Sequence, residues 1–162
     1  MTILLPMRPE SFPAYVEASI AAYADDNVHA GRWAESGALE RSRADFASLL
    51  PQGLATPDNF LFEIFEREEG PVVGHAWLAL ERKHSPVTAY VYNIEIGPAH
   101  RRKGHAFRAL QALEAKAAAA GATSIGLNVF AFNTGAQALY RKLGYAATNF
   151  NMRKPLPPRP GR

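Results

Sequence analysis

Three consecutive segments between residues 60 and 96 have the composition of β-strands. The segments FLFEIFE (60–66), VVGHAWLALE (72–81) and TAYVYNIEI (88–96) either alternate or run in β-branched and aromatic residues. The short segments REEG and KHSP separate them and are typical of turns. The sequence therefore predicts a three-stranded antiparallel meander, and the rest of the fold must pack around it.

Two amphipathic segments come before most of this sheet and predict helices. Over residues 10–29, apolar side chains recur every three or four positions, and Pro13 is tolerated because it falls in the first turn. A second helix is expected after Ser36, which could cap it with Glu40 near the capping-box position. A strand over residues 2–8 opens the chain.

The second half of the chain alternates between helical and strand-like patterns. It predicts, in order, a helix over 104–120, a strand over 124–130, a helix over 133–143 and a last strand over 145–153. Gly121 is well placed to end the first of these helices.

Length and composition favour one globular domain. The chain has 162 residues, of which 48% are hydrophobic and 20% charged, which is enough apolar material for a real core. The ending KPLPPRPGR (154–162) is too rich in proline to pack regularly, so we expect a domain over 1–153 and a flexible tail. No apolar run reaches about 18 residues and no leader is visible, so a soluble, cytoplasmic protein is expected.

The absence of cysteine restricts the possible chemistry. It excludes disulfides, thiolate metal sites and a cysteine nucleophile, and the five histidines show no metal-binding spacing. We therefore expect that no metal is required. The formal net charge of +3 suits an anionic ligand, although an excess this small could serve solubility alone.

A basic loop joins the third strand of the meander to the next predicted helix. In IGPAHRRKGHAFR (96–108), four basic residues and Gly104 stand where the helix begins. The first turn of a helix has N–H groups without intrahelical acceptors, and its dipole favours an anion. Gly104 and Ala106 leave the backbone accessible, while Arg101, Arg102 and Lys103 could add charge-assisted contacts to phosphate. The loop fits neither the P-loop nor the dinucleotide fingerprint.

The spacing Arg101-x-x-Gly104-x-Ala106 after a hydrophobic strand resembles the pyrophosphate-binding motif of the GNAT superfamily of N-acetyltransferases. A second segment, LNVFAFNTGAQALYRKLGY (127–145), is similar to that family's strand, asparagine-led helix with a tyrosine, and L-G-F/Y ending. The resemblance extends over residues 88–146. It implies a single α/β (α+β) domain with a mixed, mostly antiparallel, twisted sheet of about six to seven strands and helices on both faces.

The resemblance also implies that acetyl-coenzyme A is the co-substrate. Backbone amides would hold its pyrophosphate, and two strands that splay apart would expose a main-chain edge to the pantetheine arm. Main-chain donors at the acetyl carbonyl would stabilise an oxyanion. The residues that this assigns to the cofactor are Ile94, Ile96, Arg101, Arg102, Lys103, Gly104, His105, Ala106 and Asn133.

For catalysis, the resemblance implies that Tyr140 donates a proton to the departing thiolate. From periodicity alone, Tyr140 could equally be a packing residue in a stripe with Ala136, Leu139 and Leu143. Asn133 likewise could cap a helix, bond the pantetheine, or do both.

The base that deprotonates the amine has several candidates. Glu95 is the first choice, because a carboxylate on a strand rich in apolar residues is rarely there for packing, although it could face solvent. Other polar groups on the predicted strands are His75, Glu63 and Asn93. Some family members have a glutamate where this chain has Asn128, and an amide cannot act as a base.

The expected reaction is direct attack of a primary amine on acetyl-coenzyme A in a ternary complex. The acceptor, whether a small molecule or a peptide, cannot be identified; its site is expected among residues 20–58 and the strand loops. Aromatic residues available to line it are Tyr23, Trp33, Trp77, Tyr90 and Tyr92.

Two other classes of function remain open from the sequence. A non-catalytic acyl-coenzyme A sensor of the same fold would keep the basic loop but would need neither Glu95 nor Tyr140. An RNA-binding protein would show further basic clusters with exposed aromatic residues, and none occurs outside the short tail. We expect no nucleic-acid or membrane partner, whereas a homodimer formed through the last strand or the tail would fit the family.

Overall fold

A computed structural model describes residues 1–159 of the chain. Its helices and longer strands follow the order predicted from the sequence. The elements are β1 (Ile3–Pro6), α1 (Phe12–His29), α2 (Ala38–Leu49), β2 (Asn59–Phe65), β3 (Val72–Glu81), β4 (Thr88–Ile96), α3 (His105–Ala119), β5 (Ser124–Leu127) and α4 (Thr134–Lys142).

The described strands form one sheet in the order β1-β2-β3-β4-β5. Neighbouring strands from β1 to β4 run antiparallel, which confirms the predicted meander, and β5 alone runs parallel to its neighbour β4. Since α3 connects β4 to β5, the parallel pair has the helical crossover that such a connection needs.

Helices cover both faces of the sheet. Consecutive residues of a strand point to opposite faces, and Trp77 and Leu78 show the division. Trp77 packs with residues of α1 and α2, including Ile20 and Phe46. Leu78 packs instead with α3, whose Leu110 is completely buried. The structure is therefore a three-layer α/β domain with a mixed, mostly antiparallel sheet, as expected.

The expected number of strands was wrong, because within residues 1–159 the sheet has five strands rather than six to seven. Residues 145–153, predicted as a last strand, form no helix or strand in the structure. Their composition suits a strand, but a strand also needs a neighbour to pair with, and within residues 1–159 this segment has none.

The start of α2 also differs from the prediction. Its N-cap is Gly37, in the left-handed region at φ 81°, and no side chain caps the helix, so Ser36 does not have the expected role.

At the C-terminus, residues 154–159 have no helix or strand, and residues 160–162 lie outside the described residues. The division into a domain over 1–153 and a tail over 154–162 stays a prediction. In the described part of the chain, no helix is long and apolar enough to cross a membrane.

Candidate active site

The central feature of the site is a cleft where β4 and β5 part. The two strands pair from Thr88 with Ser124 to Val91 with Leu127, and no pairing continues beyond that point although β4 runs on to Ile96. The last five residues of β4 therefore have a free edge toward β5. This matches the splayed strands that the sequence resemblance led us to expect.

A β-bulge lies at the same point. Leu78 of β3 faces Val91 of β4, and Trp77 faces Asn93, so Tyr92 is an extra residue in β4. A bulge bends its strand and increases the local twist, and bulges recur beside active sites. Here the bulge lies directly after Val91, where the pairing of β4 with β5 ends. A bend at this point is a physical reason for the strands to part.

The basic loop lies at the end of this cleft, between β4 and α3. Arg102 and Gly104 both have left-handed backbone conformations, with φ of 63° and 79°. Such conformations turn successive N–H groups toward a common anion. Among the described residues, the N–H groups from Arg102 to Phe107 have no backbone or side-chain acceptor. The loop therefore offers several free donors at the N-terminus of a helix.

Two arginines brace this loop from within. Nε of Arg101 donates to the carbonyl oxygen of Ile96 at 2.9 Å, which ties the loop to the end of β4. Arg108 donates from Nη2 to the carbonyl oxygen of Lys103 at 2.8 Å and from Nε to Thr2 Oγ1 at 2.9 Å. The side chains of Arg102 and Lys103 are exposed. These two remain available for an anionic ligand, whereas part of Arg101 is engaged in holding the loop.

Three of the other predicted cofactor residues can offer only their backbone. The His105 side chain is buried and lies 3.1 Å from Thr2 Oγ1 on the inner side of the helix. Burial, followed by the charge of Arg108, lowers the pKa of His105, so its ring is neutral near pH 7. The side chains of Ile94 and Ile96 pack into the core with α3. For all three, contacts to a cofactor would have to come from the main chain.

Asn133 lies at the start of α4 and Tyr140 lies within it, and the two side chains have different surroundings. Asn133 is the N-cap, and its Oδ1 accepts from the N–H of Ala136 at 3.1 Å. Tyr140 is half-buried against the core beside Leu139 and Leu143. Burial raises the pKa of Tyr140, so its hydroxyl keeps its proton well above neutral pH. Both the cap and the core stripe considered from the sequence are therefore present.

A row of polar side chains crosses the opposite face of the sheet, beneath α1. Glu63 pairs with His75, and His75 pairs with Glu95, on three adjacent strands. These residues line a cavity of about 380 Å³ together with Tyr15 and Arg8. The register thus brings together the three titratable candidates named from the sequence. The remaining polar group named there, Asn93, lies two residues from Glu95 on the same face of β4.

Within this row, Glu63 is held as a carboxylate. It accepts from Arg8 Nε at 2.8 Å and Nη2 at 3.0 Å, and from Ser11 Oγ at 2.8 Å. Burial works to raise its pKa, but these hydrogen bonds outweigh it and lower the pKa overall. A carboxylate satisfied in this way is poorly suited to accept a proton from substrate.

His75 and Glu95 are the members of the row with accessible proton-accepting atoms. Burial lowers the pKa of His75, against the opposing charges of Glu63 and Glu95, so its imidazole is neutral near pH 7. Its ring lies 5.3 Å from that of Tyr15, between ring centroids. Glu95 is exposed and makes no salt bridge within residues 1–159.

Sequence reasoning missed Tyr15, Arg8 and Ser11 as part of this site. Tyr15 falls among the apolar positions of the helix predicted over residues 10–29, and that pattern indicates packing rather than a functional site. The contacts of Arg8 and Ser11 to Glu63 join positions more than 50 residues apart, and no local pattern signals such a pair. Glu63, an acidic residue within an apolar strand, was the one available hint. In the described part of the chain, no three metal-ligating side chains gather at a possible metal site.

Comparison with known proteins identifies the family to which this chain is similar. A model of the acetyltransferase (GNAT) family matches residues 18–145. The chain is 36% identical over 157 residues to the uncharacterized N-acetyltransferase YycN of Bacillus subtilis (strain 168), covering 96% of this chain and 100% of YycN. It is 35% identical over 150 residues to the uncharacterized N-acetyltransferase YdgE of the same organism, covering 93% and 95%.

Comparison with solved structures supports the same family. The crystal structure of YycN superposes with a TM-score of 0.92 at 34% identity, over 98% of this chain and 100% of that one. An acetyltransferase structure from Pyrococcus furiosus, at 24% identity and a TM-score of 0.68 over 96% of this chain and 100% of that one, shares the fold. Since the family model and the sequence relatives cover most of the chain, the protein belongs to the GNAT family and is an acyltransferase of the N-acetyltransferase type.

Proposed function

We propose that this protein transfers an acetyl group from acetyl-coenzyme A to a primary amine, which attacks directly in a ternary complex. The observation that carries the proposal is the cleft between β4 and β5, which leads to the free N–H groups of the basic loop. A ligand that spans both features needs an anionic end and an extended polar arm, and coenzyme A has both.

In this proposal the cofactor pyrophosphate lies on the loop, with the N–H groups of residues 102–107 as donors. Arg102 and Lys103 supply the neutralising charge. The pantetheine arm follows the free edge of β4 and hydrogen-bonds to its main chain, as an added strand would. Because the side chains of Ile94 and Ile96 point into the core, they fix the position of this edge without obstructing it.

The acceptor amine is proposed to enter from the α1 side of the sheet, through the cavity lined by the polar row. Arg8 and Glu63 neutralise each other, so the carboxylate of Glu95 gives the cavity its negative charge. An alkylammonium is attracted to such a site but must lose a proton before it can attack. Glu95 is the proposed base, directly or through water, and neutral His75 is the alternative acceptor beside it.

Tyr140 is proposed as the acid that protonates the departing thiolate. Its raised pKa keeps the proton in place at the pH of the reaction, and its position on α4 is just past the loop that follows β5. A thiol with a pKa near that of cysteine, about 8.5, leaves without much assistance near neutral pH. The hydroxyl should therefore accelerate the reaction without being indispensable.

The acceptor can be a small-molecule or a peptide amine, and it is open to direct test. We would incubate the enzyme with acetyl-coenzyme A and a panel of amines, comprising a peptide N-terminus, lysine, a polyamine and an aminoglycoside, and measure thiol release and the mass of each product. The proposal expects a product 42 Da heavier than one of the amines, with thiol release that depends on that amine. Acetyl-coenzyme A binding without amine-dependent thiol release for any amine would instead favour a non-catalytic role. The cytoplasmic location remains a prediction.

A further inference from the structure

Thr2 lies just before β1 and contacts the start of α3, 103 residues further along the chain. The strand that follows it pairs with β2 from Ile3 with Phe65 onward, and Leu4 is buried in the core cluster that includes residues of α3. Because alternate residues of an extended chain share a face, Thr2 is directed to the same side as Leu4. The pairing of β1 therefore holds Thr2 beside the basic loop and the first turn of α3.

The hydroxyl of Thr2 contacts two side chains of α3. Its Oγ1 accepts from Nε of Arg108 at 2.9 Å and lies 3.1 Å from Nδ1 of the buried His105. It also lies 2.9 Å from the carbonyl oxygen of Met1. A hydroxyl has one proton and two lone pairs, so it can make all three contacts at once. Whichever ring nitrogen of His105 has the proton, the hydroxyl oxygen is the acceptor for Arg108 and fixes the direction of that side chain.

Arg108 connects Thr2 to the loop. While its Nε donates to Thr2, its Nη2 donates to the carbonyl oxygen of Lys103 at 2.8 Å. Its Nη1 lies 2.6 Å from the place where a Cβ on Gly104 would be, so the guanidinium occupies the space that a side chain at this position would need. Because the guanidinium is planar and its N–H groups have fixed directions, holding Nε also fixes where Nη2 points.

The hydrogen bond to Lys103 determines the direction of the Gly104 N–H. The C=O of Lys103 and the N–H of Gly104 belong to one planar trans peptide, in which the two groups point in opposite directions. Since the C=O is held toward Arg108, the N–H is turned to the other side, where it has no acceptor among the described residues. Arg108 therefore orients one of the donors that the proposed function assigns to the cofactor pyrophosphate.

We propose that Thr2 is a positioning residue for acetyl-coenzyme A, because its hydroxyl holds Arg108 in the conformation that turns the Gly104 N–H toward the pyrophosphate. Without this hydroxyl, Nε of Arg108 and Nδ1 of His105 lose a partner, and the guanidinium is free to leave Lys103. The loop then adopts other peptide orientations, and the apparent affinity falls with the fraction of molecules that keep the competent one. Since this role assumes that acetyl-coenzyme A binds to the loop, it rests on the proposed function.

Three threonine substitutions test this role. T2V removes the hydroxyl and keeps nearly the same shape, T2S keeps the hydroxyl, and T56V is the matched control. Thr56 is buried in the turn between α2 and β2, where its Oγ1 accepts from the N–H of Gln52 at 3.1 Å and donates to the carbonyl oxygen of Gly53 at 2.8 Å. T56V thus removes a hydroxyl with comparable contacts outside the cofactor site. Calorimetric titration measures the affinity of each protein for acetyl-coenzyme A, and thermal unfolding measures its stability.

We expect T2V to bind acetyl-coenzyme A roughly 2- to 10-fold more weakly than the wild type, which is the range that one net hydrogen bond supplies. T2S and T56V should bind it as the wild type does, although T56V should melt at a lower temperature.

The outcomes separate this role from the proposed function. A wild-type protein that does not bind acetyl-coenzyme A would overturn both. If the wild type binds and T2V has the same or a higher affinity, the role of Thr2 is refuted and the proposed function stands. A T2S protein as weak as T2V would also refute this role, because the hydroxyl would then not be the cause. So would a T56V protein as weak as T2V, because the loss would then follow from stability in general.

Discussion

Replacing Gly104 with glutamate tests the anion site at the start of α3. Gly104 has φ of 79°, and the left-handed conformation costs an L-residue roughly 1–2 kcal/mol. A Cβ there would lie 2.6 Å from Nη1 of Arg108, so this arginine must move and its bond to Lys103 is disturbed. We therefore expect G104E to fold, with a melting temperature several degrees below that of the wild type.

The effect of G104E on cofactor binding should exceed its effect on stability, because it arises from charge repulsion and not from backbone strain. Two unit charges 4 Å apart repel by about 1 kcal/mol in water and by about 4 kcal/mol at the effective dielectric of a protein surface. A carboxylate beside the pyrophosphate falls between these limits, which correspond to roughly 5-fold and roughly 1,000-fold weaker binding of acetyl-coenzyme A. Calorimetric titration measures this change directly.

Gly121 provides the matched control. It lies just past the other end of α3, has φ of 91°, and has no atom within 4 Å of where a Cβ would be placed. G121E thus introduces the same charge and a similar backbone strain at a distance from the loop, without displacing Arg108. It should lose stability through the backbone strain but bind acetyl-coenzyme A as the wild type does. Equal affinities for G104E and G121E would refute the argument that the loop holds the phosphates.

Three further substitutions test the other parts of the site. Y140F should lower kcat by about tenfold or less with no change in the affinity for acetyl-coenzyme A, because a thiol leaves without much assistance; an unchanged kcat would make Tyr140 a packing residue only. E63Q should lower the free energy of unfolding by about 1 kcal/mol at pH 7, since it weakens the contacts to Arg8 and Ser11. The pKa of Glu63 is lowered in the folded state, so the stability difference between the wild type and E63Q should reach its full size above the unfolded pKa, near 4.5. In urea titrations this difference should vanish as the pH falls through the folded-state pKa. A difference that persists at pH 2 would show that packing, and not charge, is responsible. E95Q should reduce kcat/KM most at low pH, where more of the amine is protonated, and wild-type profiles across the pH range would exclude Glu95 as the base.

Local patterns in the sequence were sufficient for most of the fold. The meander, the long helix α1 and the junction between β4 and α3 all depend on neighbouring residues, namely alternation, helical periodicity and the glycine at the loop. The same is true of the Asn133 cap and of the end of α4 at Gly144, which has φ of 93°. Such features are determined within a few residues, so a single sequence can reveal them.

The remaining features depend on pairing between distant segments. Residues 145–153 have a strand pattern, but no local pattern indicates whether a neighbouring strand is available for pairing. The row of Glu63, His75 and Glu95 exists because of the register of three strands, and a shift of one residue would place these side chains on opposite faces. The bulge at Tyr92 likewise arises from the register. These features could not be predicted from the sequence and are visible only in the structure.

The central claim is that acetyl-coenzyme A occupies the cleft between β4 and β5 with its phosphates on the basic loop. A crystal structure of the protein with acetyl-coenzyme A tests it most directly. We predict pyrophosphate oxygens within about 3 Å of the N–H groups of residues 102–107, and the pantetheine arm along the free edge of β4 beyond Val91. Acetyl-coenzyme A bound elsewhere on the protein, or β4 and β5 paired beyond Val91 at saturating cofactor, would contradict this account.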